Sequence, residues 1–226
     1  MTEKSRKKVL VSLSGGIDSA VVLGLAKSFP YEVMVIGFKY PSKHNYWEME
    51  AAVKIAQHYD VPRFEIDATS VLTTHASSLT NPSVGIPEGH YGSDEMKTTI
   101  IPGRNLIFIS IMVGFAESVH AQEIWFGSQG GRNSIYPDCR PAFMESLGET
   151  IGQGTEGRVS LFNPLISKDK SEVLQTAIRL KVPLNLTRSC YSGNKIACGK
   201  CGACSKRLEA FEISGMKDPI EYELSN

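Results

Sequence analysis

A buried strand, a glycine-rich turn and a helix follow one another within residues 9–26, and this stretch constrains the fold more than any other part of the chain. Residues 9–13 are mostly apolar and β-branched, which is typical of a strand covered on both faces. Residues 14–19 read Ser-Gly-Gly-Ile-Asp-Ser, and apolar residues at helical spacing continue to Ala26. The stretch therefore predicts a strand, a phosphate-binding loop and a helix.

The composition of the turn explains why it suits a phosphate. Gly15 and Gly16 allow several backbone N–H groups to converge on one anion, and the positive end of the following helix adds to the attraction. Ser14 and Ser19 add hydroxyl donors, whereas Asp18 suits a magnesium ion or the ordering of the pocket. The turn lacks the Gly-Lys-Ser/Thr of a Walker A motif and the third glycine of a dinucleotide fingerprint. It resembles the loop of the PP-loop ATP pyrophosphatases, which split ATP into AMP and pyrophosphate; a glycine-rich turn without a ligand is the alternative.

Length and composition favour one α/β domain that acts on a small molecule. The 226 residues are 42% hydrophobic, which is enough for one sizeable core. The formal net charge is zero, so we expect neither nucleic-acid nor membrane binding. The basic segment 3–8 is followed too soon by polar residues for a signal peptide. The longest apolar stretch, 106–116, is too short to span a membrane, and we therefore expect a cytoplasmic protein.

Strands alternate with helices along the rest of the chain, which favours right-handed crossovers between parallel strands. Further strands are predicted at 32–40, 63–67, 123–127 and 159–162. Helices are predicted at 45–59, 71–78, 106–120, 141–150 and 167–180. The expected fold class is therefore α/β, with a doubly wound parallel five-stranded sheet of the PP-loop, Rossmann-like type.

Three connecting features carry further expectations. Asn45 is a plausible cap for the helix that it precedes. The segment 79–92 is rich in Pro, Gly and Asn without apolar periodicity, so we predict a long loop that acts as a lid, with His90 and Tyr91 lining a site or simply exposed. The glycines within 148–157 predict a flexible link.

Residues at the carboxyl ends of the predicted strands are the candidate nucleotide contacts, because open α/β sheets bind ligands at that edge. Phe38 and Lys39 end the second strand, where an adenine or ribose would lie; core packing is the alternative for Phe38. Gly127 ends the fourth strand, and the polar turn 128–134 offers further contacts. The predicted ATP-binding residues are Leu13, Ser14, Gly15, Gly16, Ile17, Asp18, Ser19, Phe38, Lys39 and Gly127.

Two further segments carry groups suited to an acidic substrate. Arg104 and Asn105 stand at the start of the predicted helix 106–120, where a guanidinium and an amide can meet a phosphate or carboxylate. A helix cap for Asn105 and a surface position for Arg104 are the alternatives. Residues 136–141 place a hydroxyl, a carboxylate, a thiol and a guanidinium between two prolines, which is unusual for a connector. Within them, Cys139 is either a small buried residue or part of a pocket wall.

Four cysteines lie close together near the end of the sequence, with the spacing Cys190-x7-Cys198-x2-Cys201-x2-Cys204. Disulfides are not expected in a cytoplasmic chain, and closely spaced thiols suit tetrahedral metal coordination. Zinc in a structural role is the first interpretation, because four thiolates leave no open position; an iron–sulfur cluster and free thiols are the alternatives. We therefore predict a nucleotide-binding domain at 1–186 and a zinc-binding segment at 187–226 packed on the same unit.

Taken in order, these motifs resemble the 7-cyano-7-deazaguanine synthase family of queuosine biosynthesis over nearly the whole chain. The matching pieces are residues 14–19, 78–80, 102–105, 136–141, 189–191, 198–201 and 217–219. The resemblance implies that ATP and ammonia convert 7-carboxy-7-deazaguanine into the nitrile by two adenylations, in a homodimer with one structural zinc and with magnesium. It assigns catalysis to Ser14, Asp18, Ser19 and Arg104. It assigns substrate binding to Arg104, Asn105, Tyr136, Asp138 and Arg140, and zinc to Cys190, Cys198, Cys201 and Cys204.

The chain departs from the family pattern at two places. Pro41 stands where the family usually has a glycine, and Arg132 reverses the charge of a position that is usually acidic. Both departures concern the second half of the reaction or the nitrogen donor, for which Asp138 and Glu95 are possible substitute acids. A paralogue that conjugates the deazaguanine to another amine, such as a protein amine, is therefore an alternative. A nucleotide-binding module without turnover is another.

Overall fold

Five parallel strands form a single sheet in the order β3-β2-β1-β4-β5. The computed structural model describes residues 6–73, 76–91, 93–130 and 134–223. The strands are β1 (Lys8–Ser12), β2 (Glu32–Lys39), β3 (Arg63–Asp67), β4 (Glu123–Trp125) and β5 (Ser160–Phe162). The order reverses direction at β1, whose neighbours are β2 on one side and β4 on the other. Such a switch point opens a crevice at the carboxyl ends of the strands.

Helices cover both faces of the sheet, as the predicted doubly wound fold requires. They are α1 (Ile17–Lys27), α2 (Asn45–His58), α3 (Arg104–Ser118), α4 (Pro141–Gly154), α5 (Lys170–Arg179) and α6 (Gly202–Ile213). Short 3-10 helices occupy Asp94–Thr99, Pro137–Cys139 and Leu184–Leu186. Val9 and Val11 of β1 pack in one apolar cluster with α1, α2 and α5, whereas Leu10 packs in a second cluster with α3 and α4. Alternate side chains of β1 therefore pack into two hydrophobic cores on opposite faces of the sheet.

Three of the local predictions were wrong. Helix α4 continues to Gly154 through the predicted flexible link, because Leu147 and Ile151 extend its apolar face against the second core cluster. The described residues 71–73 and 76–78 form turns and bends, not a helix. Asn45 does not cap α2: its side-chain Nδ2 donates to the Phe38 carbonyl at 3.0 Å and its Oδ1 accepts from the Tyr40 N–H at 3.1 Å. It thereby ties the start of α2 to the end of β2.

One apolar stretch within the described residues, Asp94–Ser118, is long and apolar enough to cross a membrane by length and composition. It is not one continuous α-helix, since the 3-10 helix ends at Thr99 and α3 begins at Arg104. Phe108, Ile109 and Met112 of α3 are buried in the second core cluster. The core helix of a sheet protein passes the same test, and we interpret α3 as such a helix.

A buried ion pair holds the end of the chain against the main domain. Arg207 of α6 is fully buried, and its guanidinium bonds both carboxylate oxygens of Asp218, at 2.6 and 2.8 Å. The same guanidinium donates to Thr187 Oγ1 at 2.8 Å and to the Leu184 carbonyl at 3.2 Å. Tyr222 adds a hydroxyl donor to Asp218 at 2.6 Å. The charge of Arg207 is therefore neutralised only as long as Asp218 is ionised.

We expect Asp218→Asn to lower the free energy of unfolding by about 3–5 kcal/mol, because it leaves the Arg207 charge buried without a counter-charge. Urea unfolding followed by circular dichroism measures the loss. Glu221→Gln, which removes an exposed carboxylate three residues away, is the matched control and should change the stability by less than about 0.5 kcal/mol. Equal stabilities of the two variants would contradict a stabilising role for this ion pair.

Candidate active site

The loop between β1 and α1 is held by hydrogen bonds among its own residues. The hydroxyl oxygens of Ser14 and Ser19 lie 3.1 Å apart, and Ser19 Oγ donates to the Gly16 carbonyl at 3.0 Å. Gly15 has φ +93°, and a Cβ there would lie 2.2 Å from the carbonyl oxygen of Glu48, so only glycine fits. Gly16 is the N-cap of α1 and has no side chain to occupy the first N–H groups of the helix. The positive end of α1 is thus open to an anion.

Asp18, in the first turn of α1, is paired with a lysine that no sequence motif pointed to. Lys170 Nζ at the start of α5 donates to Asp18 Oδ1 at 2.5 Å, and Gln129 Nε2 donates to the same oxygen at 3.3 Å. A second lysine, Lys206 of α6, lines the same cavity, and burial together with the nearby Lys170 lowers its pKa. Two ammonium groups therefore stand beside the loop, where the charge of phosphates would lie.

A cavity opens at the carboxyl ends of β1, β2 and β4 and joins the loop to the N-terminal end of α3. It brings together most of the residues predicted from the sequence. Those that line it are Leu13, Ser14, Gly16, Ile17, Asp18, Ser19, Phe38, Arg104, Asn105, Gly127 and Tyr136. Phe38 is both wall and core, since it is 5% exposed and its ring stacks on Phe108 with the centroids 4.1 Å apart.

The remaining predicted residues lie outside the cavity wall. Lys39 points away from it and pairs with Asp67 at 3.1 Å, because successive side chains of a strand face opposite sides and Phe38 takes the inner one. Arg140 is exposed and donates from Nε to the Ser134 carbonyl at 3.0 Å. Asp138 accepts from the Asn105 backbone N–H at 2.9 Å and so caps the start of α3. The structure does not place these three side chains in the cavity wall, and their contact with a ligand stays a prediction.

The part of the cavity around Arg104, away from the phosphate loop, contains polar groups and is lined by aromatic side chains. The pKa of Arg104 is raised overall: burial lowers it, but the neighbouring Tyr40, Cys139 and Asp138 raise it by more than that. The guanidinium therefore stays charged. Tyr136 bonds Thr99 Oγ1 at 2.6 Å and lies 3.4 Å from the hydroxyl of Tyr191. A fixed cation beside hydroxyl donors suits a planar, acidic small molecule.

Cys139 is a wall of this cavity and not a reactive thiol. Its side chain is 8% exposed, its Sγ accepts from Asn105 Nδ2 at 3.2 Å, and burial raises its pKa to about 11. Among the other expected contacts, Tyr91 lines the cavity whereas His90 is exposed. Arg132 lies outside the described residues, as do its neighbours Gly131 and Asn133 and, in the predicted lid, Gly92. Closure of that lid stays a prediction.

The four thiols near the end of the chain converge. Their Sγ atoms all lie within 4.8 Å of one another, with 3.6 Å between Cys190 and Cys198 and 4.0 Å between Cys198 and Cys204. Zinc–sulfur bonds of about 2.3 Å in a tetrahedron separate the sulfurs by about 3.8 Å. Backbone N–H groups of Ser192 and Cys198 each donate to Cys190 Sγ at 3.3 Å, and hydrogen bonds from the thiols of Cys201 and Cys204 lower the pKa of Cys190. The donor set fits zinc, whereas an iron–sulfur cluster would hold its thiolates farther apart.

This cysteine segment also reaches the active site. Arg188 donates its backbone N–H to the Gly15 carbonyl at 2.8 Å, two residues before the first of the four cysteines. Arg188, Tyr191, Ala203 and Lys206 line the cavity. The cysteine segment is therefore one wall of the site and a support of the phosphate loop.

The sheet order and the Ser-Gly-Gly-Ile-Asp-Ser loop define the class of the protein: an α/β protein of the PP-loop type. Structures with the same fold include an NH3-dependent NAD synthetase from Campylobacter jejuni, with a TM-score of 0.50 and 22% identity over 82% of this chain and 68% of that one. A 4-thiouridine synthetase with bound RNA and ATP has a TM-score of 0.51 and 17% identity over 90% of this chain and 50% of that one.

The particular family is shown by sequence. Residues 8–215 match the family of the queuosine biosynthesis protein QueC, and the chain belongs to that family. A 7-cyano-7-deazaguanine synthase from Pseudoalteromonas translucida is 37% identical over 96% of this chain and 99% of its own length. The protein of that name from Caldicellulosiruptor saccharolyticus is 39% identical over 96% of both chains. The family predicted from the motifs is thereby confirmed.

Proposed function

We propose that the protein converts 7-carboxy-7-deazaguanine, ATP and ammonia into 7-cyano-7-deazaguanine. The observation that carries this proposal is the single cavity in which the phosphate loop and the polar pocket around Arg104 meet. One substrate can therefore present its carboxylate to the α-phosphorus of ATP. Relatives at 37–39% identity that bear the name 7-cyano-7-deazaguanine synthase support the choice of substrate.

The first half of the reaction forms an amide. A carboxylate oxygen of the substrate bonds the α-phosphorus, and pyrophosphate leaves with the electron pair of the broken P–O bond. The loop N–H groups with Ser14 and Ser19 hold the β- and γ-phosphates, and Lys170 and Lys206 offset the charge that develops on them. Ammonia then displaces AMP from the acyl carbon. Excluding water from this adenylate decides whether nitrogen or water reacts.

The second half removes the amide oxygen. The amide oxygen bonds the α-phosphorus of a second ATP, pyrophosphate leaves, and loss of AMP and protons from the resulting imidate gives the nitrile. Arg104 remains charged throughout and holds the substrate against the α-phosphate. A magnesium ion would supply charge neutralisation to the phosphates. Asp18 suits it, because both hydrogen bonds that the described residues make to this carboxylate go to Oδ1, which leaves Oδ2 for the metal.

Products decide between this function and its alternatives. The protein is supplied with ATP, magnesium, 7-carboxy-7-deazaguanine and an ammonium salt, and the small molecules and the protein are followed by mass spectrometry. We expect the nitrile together with AMP and pyrophosphate. ADP and phosphate would contradict the assignment of the loop. AMP with a protein-linked deazaguanine, or with the acid recovered unchanged, would favour conjugation to another amine, and no ATP consumption would leave a nucleotide-binding module.

We also propose that the protein is a homodimer, as the family resemblance implies, and that it acts in the cytoplasm. None of the described cysteines forms a disulfide, which suits a reducing compartment. Apolar side chains remain partly exposed on the outer side of α3 and β3, with Leu106 at 42% and Phe64 at 37%. Sedimentation equilibrium of the zinc-loaded protein measures the mass, and a monomer at micromolar concentration would contradict the dimer.

A further inference from the structure

Glu48 is a half-buried acid that the proposed reaction has not used. It lies on α2 and its side chain, 15% exposed, lines the cavity. The backbone around it is fixed, because its carbonyl oxygen is the atom that a Cβ on Gly15 would meet at 2.2 Å. Glu48 is therefore held beside the phosphate loop by the same close approach that requires glycine there.

Glu48 is one of two acids among the described residues that line the cavity; the other is Asp18, which is paired with Lys170. The acids considered from the sequence as substitutes do not reach it. Asp138 caps α3, and Glu95 is exposed on the 3-10 helix. If the reaction needs an acid other than Asp18, the described residues offer Glu48.

The groups that face Glu48 come from four parts of the fold. They are His44 beside the start of α2, Tyr40 after β2, Arg104 of α3 and Arg188 of the cysteine segment. His44 Nε2 lies 3.5 Å from Glu48 Oε2, but burial lowers the pKa of His44 to about 3, so this neighbour is neutral. Burial raises the pKa of Glu48 to about 8, against the opposing effect of Arg104 and Arg188. A carboxyl group poised near neutral pH in a ligand cavity is suited to proton transfer.

We propose that Glu48 is the catalytic base that takes a proton from the attacking ammonia. This inference rests on the proposed function. The nitrogen lone pair forms the C–N bond, the C–O bond to AMP breaks and its electron pair leaves with AMP. The ammonium-like nitrogen loses one proton to the Glu48 carboxylate, which later releases it to solvent. Adenylation itself transfers no proton and does not need Glu48.

Measuring adenylation and amide formation separately tests the role of Glu48. Glu48→Gln should keep substrate-dependent exchange of labelled pyrophosphate into ATP within about threefold, but lower amide and nitrile formation by about a hundredfold or more. Glu50→Gln, an exposed acid on the same helix, is the matched control and should change neither. Glu48→Asp should recover part of the lost rate. Hydroxylamine, which is largely unprotonated and a stronger nucleophile at neutral pH, should restore acyl transfer to Glu48→Gln as the hydroxamate.

The pH dependence gives an independent readout. A base acts only when deprotonated, so the rate of amide formation at constant free ammonia should rise with pH up to the pKa of Glu48, near 8 in the empty site. In Glu48→Gln this rise should be absent while exchange of pyrophosphate keeps its profile. Wild type and variant with the same profile would contradict the proposal.

Other outcomes overturn it in different ways. Loss of pyrophosphate exchange together with a raised KM for the deazaguanine, in a variant that unfolds in urea like the wild type, would make Glu48 a hydrogen-bond acceptor for the N–H edge of the substrate. Unchanged nitrile formation would remove Glu48 from the chemistry. Absence of exchange in the wild type itself would reject the proposed function, and this inference with it.

Discussion

Asp18→Ala is expected to abolish pyrophosphate release, with a loss of about a thousandfold or more in kcat, while the protein remains folded. The variant removes the carboxylate that holds Lys170 at 2.5 Å beside the loop and that suits a magnesium ion. Losing one preorganised electrostatic group in an active site costs about a hundredfold to a thousandfold, and here the position of a lysine is lost as well. Pyrophosphate and AMP are quantified after incubation with the substrates.

The fold should tolerate this change because the side chain of Asp18 is 26% exposed and faces the cavity instead of the core. Asp18→Asn separates charge from shape: it should restore the hydrogen bond from Gln129 but not the activity. Asp94→Ala removes an acid that is 87% exposed and serves as the control. Turnover of Asp18→Ala within tenfold of the wild type would reject the role of this residue at the phosphates.

Cys201→Ser should prevent the protein from holding its zinc and should unfold the cysteine segment. Purified wild type should contain about one zinc per chain. Cys201 is 2% exposed and shares its metal-binding position with three other thiols, so a hydroxyl there cannot complete the tetrahedron. Apparent binding free energies of structural zinc sites are about 10–16 kcal/mol, which is comparable to the whole free energy of unfolding of a protein, about 5–15 kcal/mol.

Metal analysis measures the loss of zinc, and thermal unfolding with and without a chelator measures the loss of stability. Cys139→Ser is the control for zinc content, because this thiol lies outside the cluster and its loss should leave about one zinc per chain. A well-folded wild type without metal, or a Cys201→Ser protein that keeps its zinc, would show that the four thiols do not form a structural site.

The positions of the strands along the chain and the loop were predictable because each depends on neighbouring residues. Continuous apolar runs indicated β1 and β2, and the glycine pair with its flanking serines indicated the phosphate loop. The cysteine spacing was equally local. In these cases the residue types and their separation along the chain already determine what the segment can form.

The residues that sequence reasoning missed reach the cavity by packing. Lys170 and Glu48 sit on helices with no motif around them, and they meet the loop only because α5 and α2 pack against the same face of the sheet as α1. Lys39 is the opposite case: the alternation of β2 turns its side chain outward, where it pairs with Asp67, and its contact with a nucleotide stays a prediction. The glycines of α4 at positions 148, 152 and 154 led to the wrong prediction of a flexible link, because the apolar spacing of the helix outweighs their low helix propensity.

The hydrogen bond from Arg188 to Gly15 joins the cysteine segment to the phosphate loop. If zinc orders the segment that supports the loop, then a nucleotide that binds the ordered loop must in turn increase the affinity for zinc by the same factor. Under metal limitation, molecules engaged with ATP would retain their zinc longest. The cell would thus lose idle copies of this enzyme before working ones.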